Sequence, residues 1–173
     1  QCCLIRKKFS DIKNNHVEGS TGFKALLAPL IELRQVKVTK EGVFFDNGSN
    51  ITFMHCQDER QFDSAQGVEK HILAIDEATQ ISARLIKFFR AWGRISKPFR
   101  KTIPKEWSHK LPLILYTANP MGASVGHFRH EFVKARGAFE VEEVAGFMRQ
   151  YIPSRITDNP AADAKTQAGR LSG

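Results

Sequence analysis

An apolar run that ends in two adjacent carboxylates constrains the fold of this chain more than any other feature. The run spans residues 72–75, and Asp76 and Glu77 follow it directly. Apolar runs of about four to eight residues are typical of buried parallel strands, which present functional groups at their carboxyl ends. Two charges at such a position are costly to bury without a chemical role. The alternative is a strand that leaves the core through an acidic turn, and this pattern alone does not separate the two.

A second apolar run, residues 113–116, also ends in polar residues. Thr117 and Asn119 follow it, and Pro120 closes the segment. An Asn-Pro turn at the end of a strand is common and carries no chemical meaning by itself. The carboxyl ends of parallel strands meet at one crevice, however, so we expect the two polar ends to converge there. A hydroxyl and an amide at that crevice are suited to contact a γ-phosphate or its attacking water.

Apolar runs and helical patterns alternate along the chain. This alternation predicts an α/β fold with a mainly parallel sheet. Helices are predicted at 22–33, 82–95 and 128–133, where apolar residues recur at helical spacing. Strands are predicted at 2–5, 36–39, 43–45, 51–54, 71–75, 113–116, 141–144 and 150–152.

Composition narrows the class of protein. With 173 residues, of which 42% are hydrophobic, the chain is long enough to bury the core of one domain. No apolar run approaches the length of a membrane span and no signal peptide is visible, so we expect no membrane insertion. The three cysteines form no CxxC pair, which favours free thiols in a reducing compartment. The chain begins with Gln1 and its first methionine is Met54, so we expect a piece of a longer protein.

Four segments together resemble the ATPase domain of the large terminase subunit of tailed phages, the motor that packages DNA into procapsids. They are the basic strand end 5–7, the Walker B-like strand 72–78, the coupling-motif-like loop 117–132 and the signature-like stretch 152–160. The resemblance implies a three-layer fold like that of P-loop NTPases. It also implies a partial ATPase core over 1–150, followed over 151–173 by the end of that domain and the start of a linker.

The same resemblance implies a role for each polar residue at the two strand ends. Asp76 would coordinate Mg²⁺ and Glu77 would activate the attacking water, so that both contribute to binding Mg·ATP. Thr117 and Asn119 would sense the γ-phosphate and couple hydrolysis to movement. The implied cofactors are ATP and Mg²⁺. The implied partners are double-stranded DNA, the portal protein, the small terminase subunit and further copies in a ring, in the cytoplasm of a bacterial host.

The chain departs from the family pattern where the phosphates are held. The Walker A loop, G-x-x-x-x-G-K-S/T, is absent, and the stretch 19–24 fails the pattern, so we interpret it as a helix start. We therefore expect a fold that is incomplete at its N-terminus, with Walker A before Gln1 and a nuclease domain after Gly173. Alone, this chain is expected to hydrolyse ATP negligibly. Gln66 stands where some relatives carry a trans-acting arginine, and Arg60 is the nearest substitute.

The positive charge is concentrated in one segment. The net charge is +8, and residues 84–110 hold nine Lys or Arg residues against the single acid Glu106. Over 82–95 the pattern predicts an amphipathic helix, whose aromatic residues we interpret as core rather than as base-stacking groups. The basic residues favour contact with DNA or with a neighbouring subunit over a solvated surface. They are Arg84, Lys87, Arg90, Arg94, Arg100 and Lys101.

Two alternatives to a packaging motor stay open on the sequence. The first is another P-loop ATPase, such as a helicase, although the Asp-Asn-Pro stretch at 158–160 argues against it. The second is an inactive prophage remnant that only binds DNA through its basic segment.

Overall fold

The computed structural model describes residues 1–57, 62, 69–135, 137–144, 146–154 and 158. The chain divides into two units, Gln1–Val125 and Gly126–Gly173. Arg60 and Gln66, on which the expectation of a trans-acting arginine depends, lie outside the described residues, as does most of the stretch 152–160. Among the described residues, no helix combines the length and the apolar character needed to cross a membrane.

A six-stranded sheet organises the first unit. Its strand order is β2-β3-β4-β1-β5-β6. Strands β4, β1, β5 and β6 run parallel to one another, whereas β2 and β3 add an antiparallel hairpin beside β4. The predicted α/β fold with a mainly parallel sheet is therefore confirmed. The strands are β1 (Cys2–Arg6), β2 (Val36–Val38), β3 (Gly42–Phe45), β4 (Asn50–His55), β5 (Ile72–Ile75) and β6 (Leu113–Tyr116).

The segment between β1 and β2 contains several short helical stretches. Helix α1 (Phe9–Asp11) continues as a π-helical stretch, Ile12–Val17, which the sequence did not predict. The helix predicted over 22–33 is divided into α2 (Phe23–Leu26) and α3 (Ala28–Glu32). Pro29 lies in the first turn of α3 and has no backbone N–H for the preceding turn, which favours the break at Leu27.

Between β5 and β6 the chain carries a 3₁₀ turn and three short helices. The turn is Ala78–Gln80, and the helices are α4 (Ala83–Arg90), α5 (Lys97–Arg100) and α6 (Lys105–Ser108). Helix α4 begins at Ser82, whose hydroxyl accepts a hydrogen bond from the Leu85 N–H at 3.3 Å. It ends earlier than predicted, because Gly93 leaves the helix to form an isolated β-bridge with Lys70.

Each face of the sheet has its own buried residues. On one face, Leu4 packs with Ile12 and Val17 of the π-helical stretch. On the other face, Ile5 and Leu73 are completely buried, as expected from the alternation of side chains along a strand. Ile114 of β6 lies on that second face next to Gly93, just beyond α4. Helical segments thus cover both faces, which is compatible with a three-layer α/β fold.

The predicted aromatic core of the 82–95 region is confirmed. Phe89 and Trp92 are buried, and their rings contact each other and Phe62 in edge-to-face or tilted geometry. Phe88 is half-buried and joins the same cluster. Aromatic pairs in this geometry add to the stability that burial of their apolar area provides.

The second unit contains a helical segment and a hairpin. Helix α7 (Val125–Phe128), which starts at the boundary between the units, continues as the π-helical stretch Arg129–Val133. Strands β7 (Val141–Val144) and β8 (Phe147–Gln150) pair in antiparallel fashion. The prediction of a strand at 150–152 is therefore wrong, because the strand begins three residues earlier and ends at Gln150. The hairpin registers Glu142 opposite Arg149, and these side chains form an ion pair of 2.5 Å.

Candidate active site

The polar ends of β5 and β6 meet, as expected from their parallel arrangement. The Thr117 hydroxyl donates a hydrogen bond to Oδ1 of Asp76 and accepts one from the Glu77 N–H at 2.9 Å. The Thr117 carbonyl accepts a further bond from the N–H of Ala78 at 2.8 Å. The structure therefore brings Asp76, Glu77 and Thr117 together at the carboxyl end of the sheet.

The backbone of Glu77 is in the left-handed region, with φ 50° and ψ 45°. A residue with a Cβ adopts this conformation only at a cost in free energy, and such costs are concentrated at functional sites. Glu77 caps the 3₁₀ turn that follows β5. In this position its Oε2 accepts a hydrogen bond from Nε2 of Gln80 at 2.7 Å. The turn thus keeps the Glu77 carboxylate beside the end of the strand.

Arg6 belongs to the site, although the sequence pattern assigned it only to the basic strand end 5–7. It ends β1, the strand that pairs with β5, and only 8% of its side chain is exposed. Its Nη2 lies 2.9 Å from Oε1 of Glu77, and its Nε lies 3.3 Å from Oδ2 of Asp76. The signal that could have found it is the one used for the other strands, a polar residue directly after a buried run.

His16 is the second residue that the sequence missed. It lies on the π-helical stretch, and its Nε2 is 2.8 Å from Oδ2 of Asp76. Nothing in the local sequence marks it, because its position depends on a helical stretch without clear apolar periodicity. Asp76 is consequently contacted by Arg6, His16 and Thr117 at once.

The environment of Asp76 favours its ionised form. Burial by itself raises the pKa of a carboxyl group, but at Asp76 other effects outweigh it. The hydrogen bonds from Thr117 and His16, together with the positive charge of Arg6, hold the Asp76 pKa below its ordinary value of 3.8. The site therefore presents a carboxylate anion at neutral pH.

The loop after β6 is bound to the turn after β5. The Thr79 hydroxyl donates to the carbonyl of Asn119 at 2.9 Å. The buried Ser124 hydroxyl lies 3.3 Å from the carbonyls of both Ala78 and Thr79. Asn119 itself is exposed and makes the Thr79 contact through its backbone. Its expected role in phosphate sensing stays a prediction.

The donor set fits Mg²⁺ when phosphate completes the coordination. Mg²⁺ is usually held in proteins by one or two carboxylates together with water and phosphate oxygens, and Asp76 supplies one carboxylate, with Glu77 beside it. In the part of the chain that the structure describes, no group of three or more His, Cys, Asp or Glu residues forms a metal cage. The site is thus suited to a metal that arrives with its own anionic ligand.

The stretch 19–24 is a helix start, as predicted. Gly22 precedes α2, and a Cβ atom there would lie 2.8 Å from the carbonyl oxygen of Val17. Lys24 is held by an ion pair with Glu18 at 2.7 Å.

The basic residues of the 84–110 segment do not share one environment. Arg84, Lys87, Arg94, Arg100 and Lys101 are exposed, whereas Arg90 is half-buried. Burial raises the pKa of Tyr116 to about 12, and the nearby positive charge of Arg90 acts in the opposite direction. Arg90 therefore belongs partly to the protein interior and is the weakest candidate for contact with DNA.

Comparison with known proteins does not identify a family. No family model matches the chain, and no curated protein matches it either. The functional assignment consequently depends on the residues and their geometry.

Proposed function

We propose that this chain is the ATP-hydrolysing part of a phage terminase large subunit, which drives packaging of double-stranded DNA into procapsids. The observation that carries the proposal is the convergence of Asp76, Glu77 and Thr117 at the carboxyl end of a parallel sheet. In this function Asp76 holds Mg²⁺ and Glu77 accepts a proton from the attacking water. When bound, Mg·ATP supplies the transferable phosphoryl group.

The hydrogen bonds around the site support a coupling role for the loop 117–124. Thr117 contacts both carboxylate-bearing residues, so a change at Asp76 or Glu77 alters its hydrogen bonds directly. Ser124 holds the far end of the loop against the same turn. Displacement of the turn that carries Glu77 would therefore move the whole loop, including Asn119.

The function also requires a loop that holds the β- and γ-phosphates, and the described residues contain none. Strand β6 is the last strand of the sheet, with Leu113 37% and Leu115 50% exposed. Among the described residues its outer edge pairs with no strand, so a further parallel strand can pair there and end near Thr117. We propose that the phosphate-binding loop reaches the site there, and that the chain alone therefore has negligible ATPase activity.

The partners follow from the same proposal. The exposed basic residues of the 84–110 segment contact double-stranded DNA or a neighbouring subunit of a ring. The portal protein and the small terminase subunit are the further partners, in the cytoplasm of a bacterial host.

The test is Mg²⁺-dependent ATP hydrolysis by the full-length gene product and by this chain alone. In the full-length protein we expect Glu77→Gln to lower kcat by about 100-fold or more, the usual contribution of a general base, and to leave ATP binding nearly unchanged. Glu143→Gln, on the hairpin of the second unit, removes one carboxylate in the same way and is the matched control. Normal turnover by the Glu77→Gln variant, or robust hydrolysis by this chain alone, would contradict the proposal.

A further inference from the structure

Arg6 is a buried cation that both carboxylates of the site neutralise. Its side chain is 8% exposed, whereas those of Asp76 and Glu77 are 20% and 26% exposed. A buried guanidinium is tolerated only when it is paired, because transfer of an unpaired charge from water is costly. The proposed metal ligand, Asp76, and the neighbouring Glu77 are thus already paired with an internal cation.

These contacts leave few carboxylate oxygens available. On Glu77, Oε1 contacts Arg6 and Oε2 accepts the hydrogen bond from Gln80. On Asp76, Oδ1 accepts from Thr117, and Oδ2 contacts both His16 and Arg6. A divalent cation that approaches this pair has to displace a donor and also meets the charge of Arg6 a few ångströms away.

The contacts of Arg6 with the two carboxylates differ in geometry. The buried Nε makes no hydrogen bond with any residue in the described part of the chain, although it lies 3.3 Å from Oδ2 of Asp76. Its interaction with Asp76 is therefore Coulombic attraction without hydrogen-bond alignment. The contact between Nη2 and Glu77, at 2.9 Å, is the closer of the two.

We propose that Arg6 is a positioning residue that closes the Asp76–Glu77 pair to free Mg²⁺, so that the metal enters only together with an anionic ligand. Mg²⁺ alone would give the buried cluster of Arg6 and two carboxylates an excess positive charge. A phosphate-bearing ligand brings negative charge and removes that excess. This inference rests on the proposed function, because it takes Asp76 as the metal ligand.

A purely structural ion pair would behave differently. Removing Arg6 would then destabilise the fold without changing how the site binds metal. The affinity for Mg²⁺ alone separates the two roles, since it does not depend on nucleotide binding or on hydrolysis.

The experiment is calorimetric titration of this chain with MgCl₂ alone. We expect no saturation of the wild-type chain at millimolar Mg²⁺, and an affinity at least about tenfold higher for Arg6→Gln, because a nearby like charge is removed. Lys8→Gln removes an exposed charge two residues away and is the matched control, with wild-type behaviour expected. Arg6→Lys keeps the charge but cannot bridge both carboxylates as a guanidinium does, so we expect an intermediate affinity.

Each outcome decides. Equal Mg²⁺ affinity of Arg6→Gln and wild type, or tight binding of Mg²⁺ by wild type, overturns the role of Arg6. If Arg6→Gln does not fold by circular dichroism, the comparison of Arg6→Lys with wild type decides in the same way. The double variant Arg6→Gln/Asp76→Asn tests the proposed function separately. If Arg6→Gln gains Mg²⁺ binding and the double variant keeps that binding, Asp76 is not the ligand and the proposed function fails.

Discussion

The Thr117 hydroxyl donates a hydrogen bond to the Asp76 carboxylate, across 41 residues of sequence and between two neighbouring strands. The same oxygen accepts the N–H of Glu77 at 2.9 Å. One side chain at the end of β6 therefore orients a carboxylate and also holds the strained backbone of the residue beside it. This double contact is the structural basis for treating the two strand ends as one site.

Replacement of Thr117 by valine should break this connection while keeping the shape of the side chain. We expect Thr117→Val to lower the free energy of unfolding by about 1 kcal/mol, the typical net value of such a hydrogen bond. Thr117→Ser retains the hydroxyl and should lose much less. Urea unfolding followed by circular dichroism measures both. Equal stability of the valine and serine variants would show that the hydroxyl contacts contribute nothing measurable.

Asp76 should make the stability of the fold depend on pH in the acid range. Its folded-state pKa is lowered, so the unfolded chain binds the proton more readily as pH falls. The contribution of Asp76 is therefore fully present above the ordinary pKa of 3.8 and is lost as pH drops through the lowered value. Urea unfolding near neutral pH and at about pH 3 should show a smaller loss for Asp76→Asn than for wild type. Equal losses would mean that Asp76 is not perturbed.

The two strands that carry Asp76 and Thr117 were predictable because their signals are local. An apolar run followed by polar residues marks the end of a buried strand wherever it occurs. For Arg6 the local pattern marks only a polar residue at a strand end, and for His16 it marks nothing. Arg6 reaches the site only because β1 lies between β4 and β5 in the sheet. Local sequence patterns do not predict the order of strands in a sheet. His16 depends on a π-helical stretch that lacks the regular apolar spacing of an α-helix.

The limits of the helices illustrate the same point. Residues 22–33 have apolar residues at helical spacing, yet Pro29 divides the segment. The apolar pattern of 82–95 continues past Arg90, where α4 ends. Beyond that point Gly93 forms a β-bridge with Lys70 instead of a further helical turn. Periodicity indicates which side chains are buried, and in both segments tertiary contacts and backbone chemistry determine where the helix stops.

Gly122 should be required for the loop that joins Thr117 to Ser124. Its φ is +131°, and a Cβ atom there would overlap the carbonyl oxygen of Thr79. We expect Gly122→Ala to destabilise the chain by about 2 kcal/mol or more, since strain and overlap add. Gly126→Ala is the control, because a Cβ atom at Gly126 has no neighbour within 4 Å. Urea unfolding measures both, and a Gly122→Ala variant as stable as wild type would show that the loop is not held against Thr79.

The basic residues should bind DNA through phosphate contacts if they have the proposed role. Binding of a double-stranded oligonucleotide, measured by fluorescence anisotropy between about 50 and about 200 mM salt, should weaken steeply as salt rises. Neutralising Lys87, Arg94 and Lys101 together should reduce the slope of log K against log salt by up to about 0.9 per lost contact. The control triple variant neutralises Lys13, Lys37 and Lys40, which are also exposed but lie outside this segment. Because the two variants lose the same net charge, a difference between them reports position, and equal slopes would show that the 84–110 segment has no special role in DNA binding. Absence of binding even at low salt would instead favour contact with a protein.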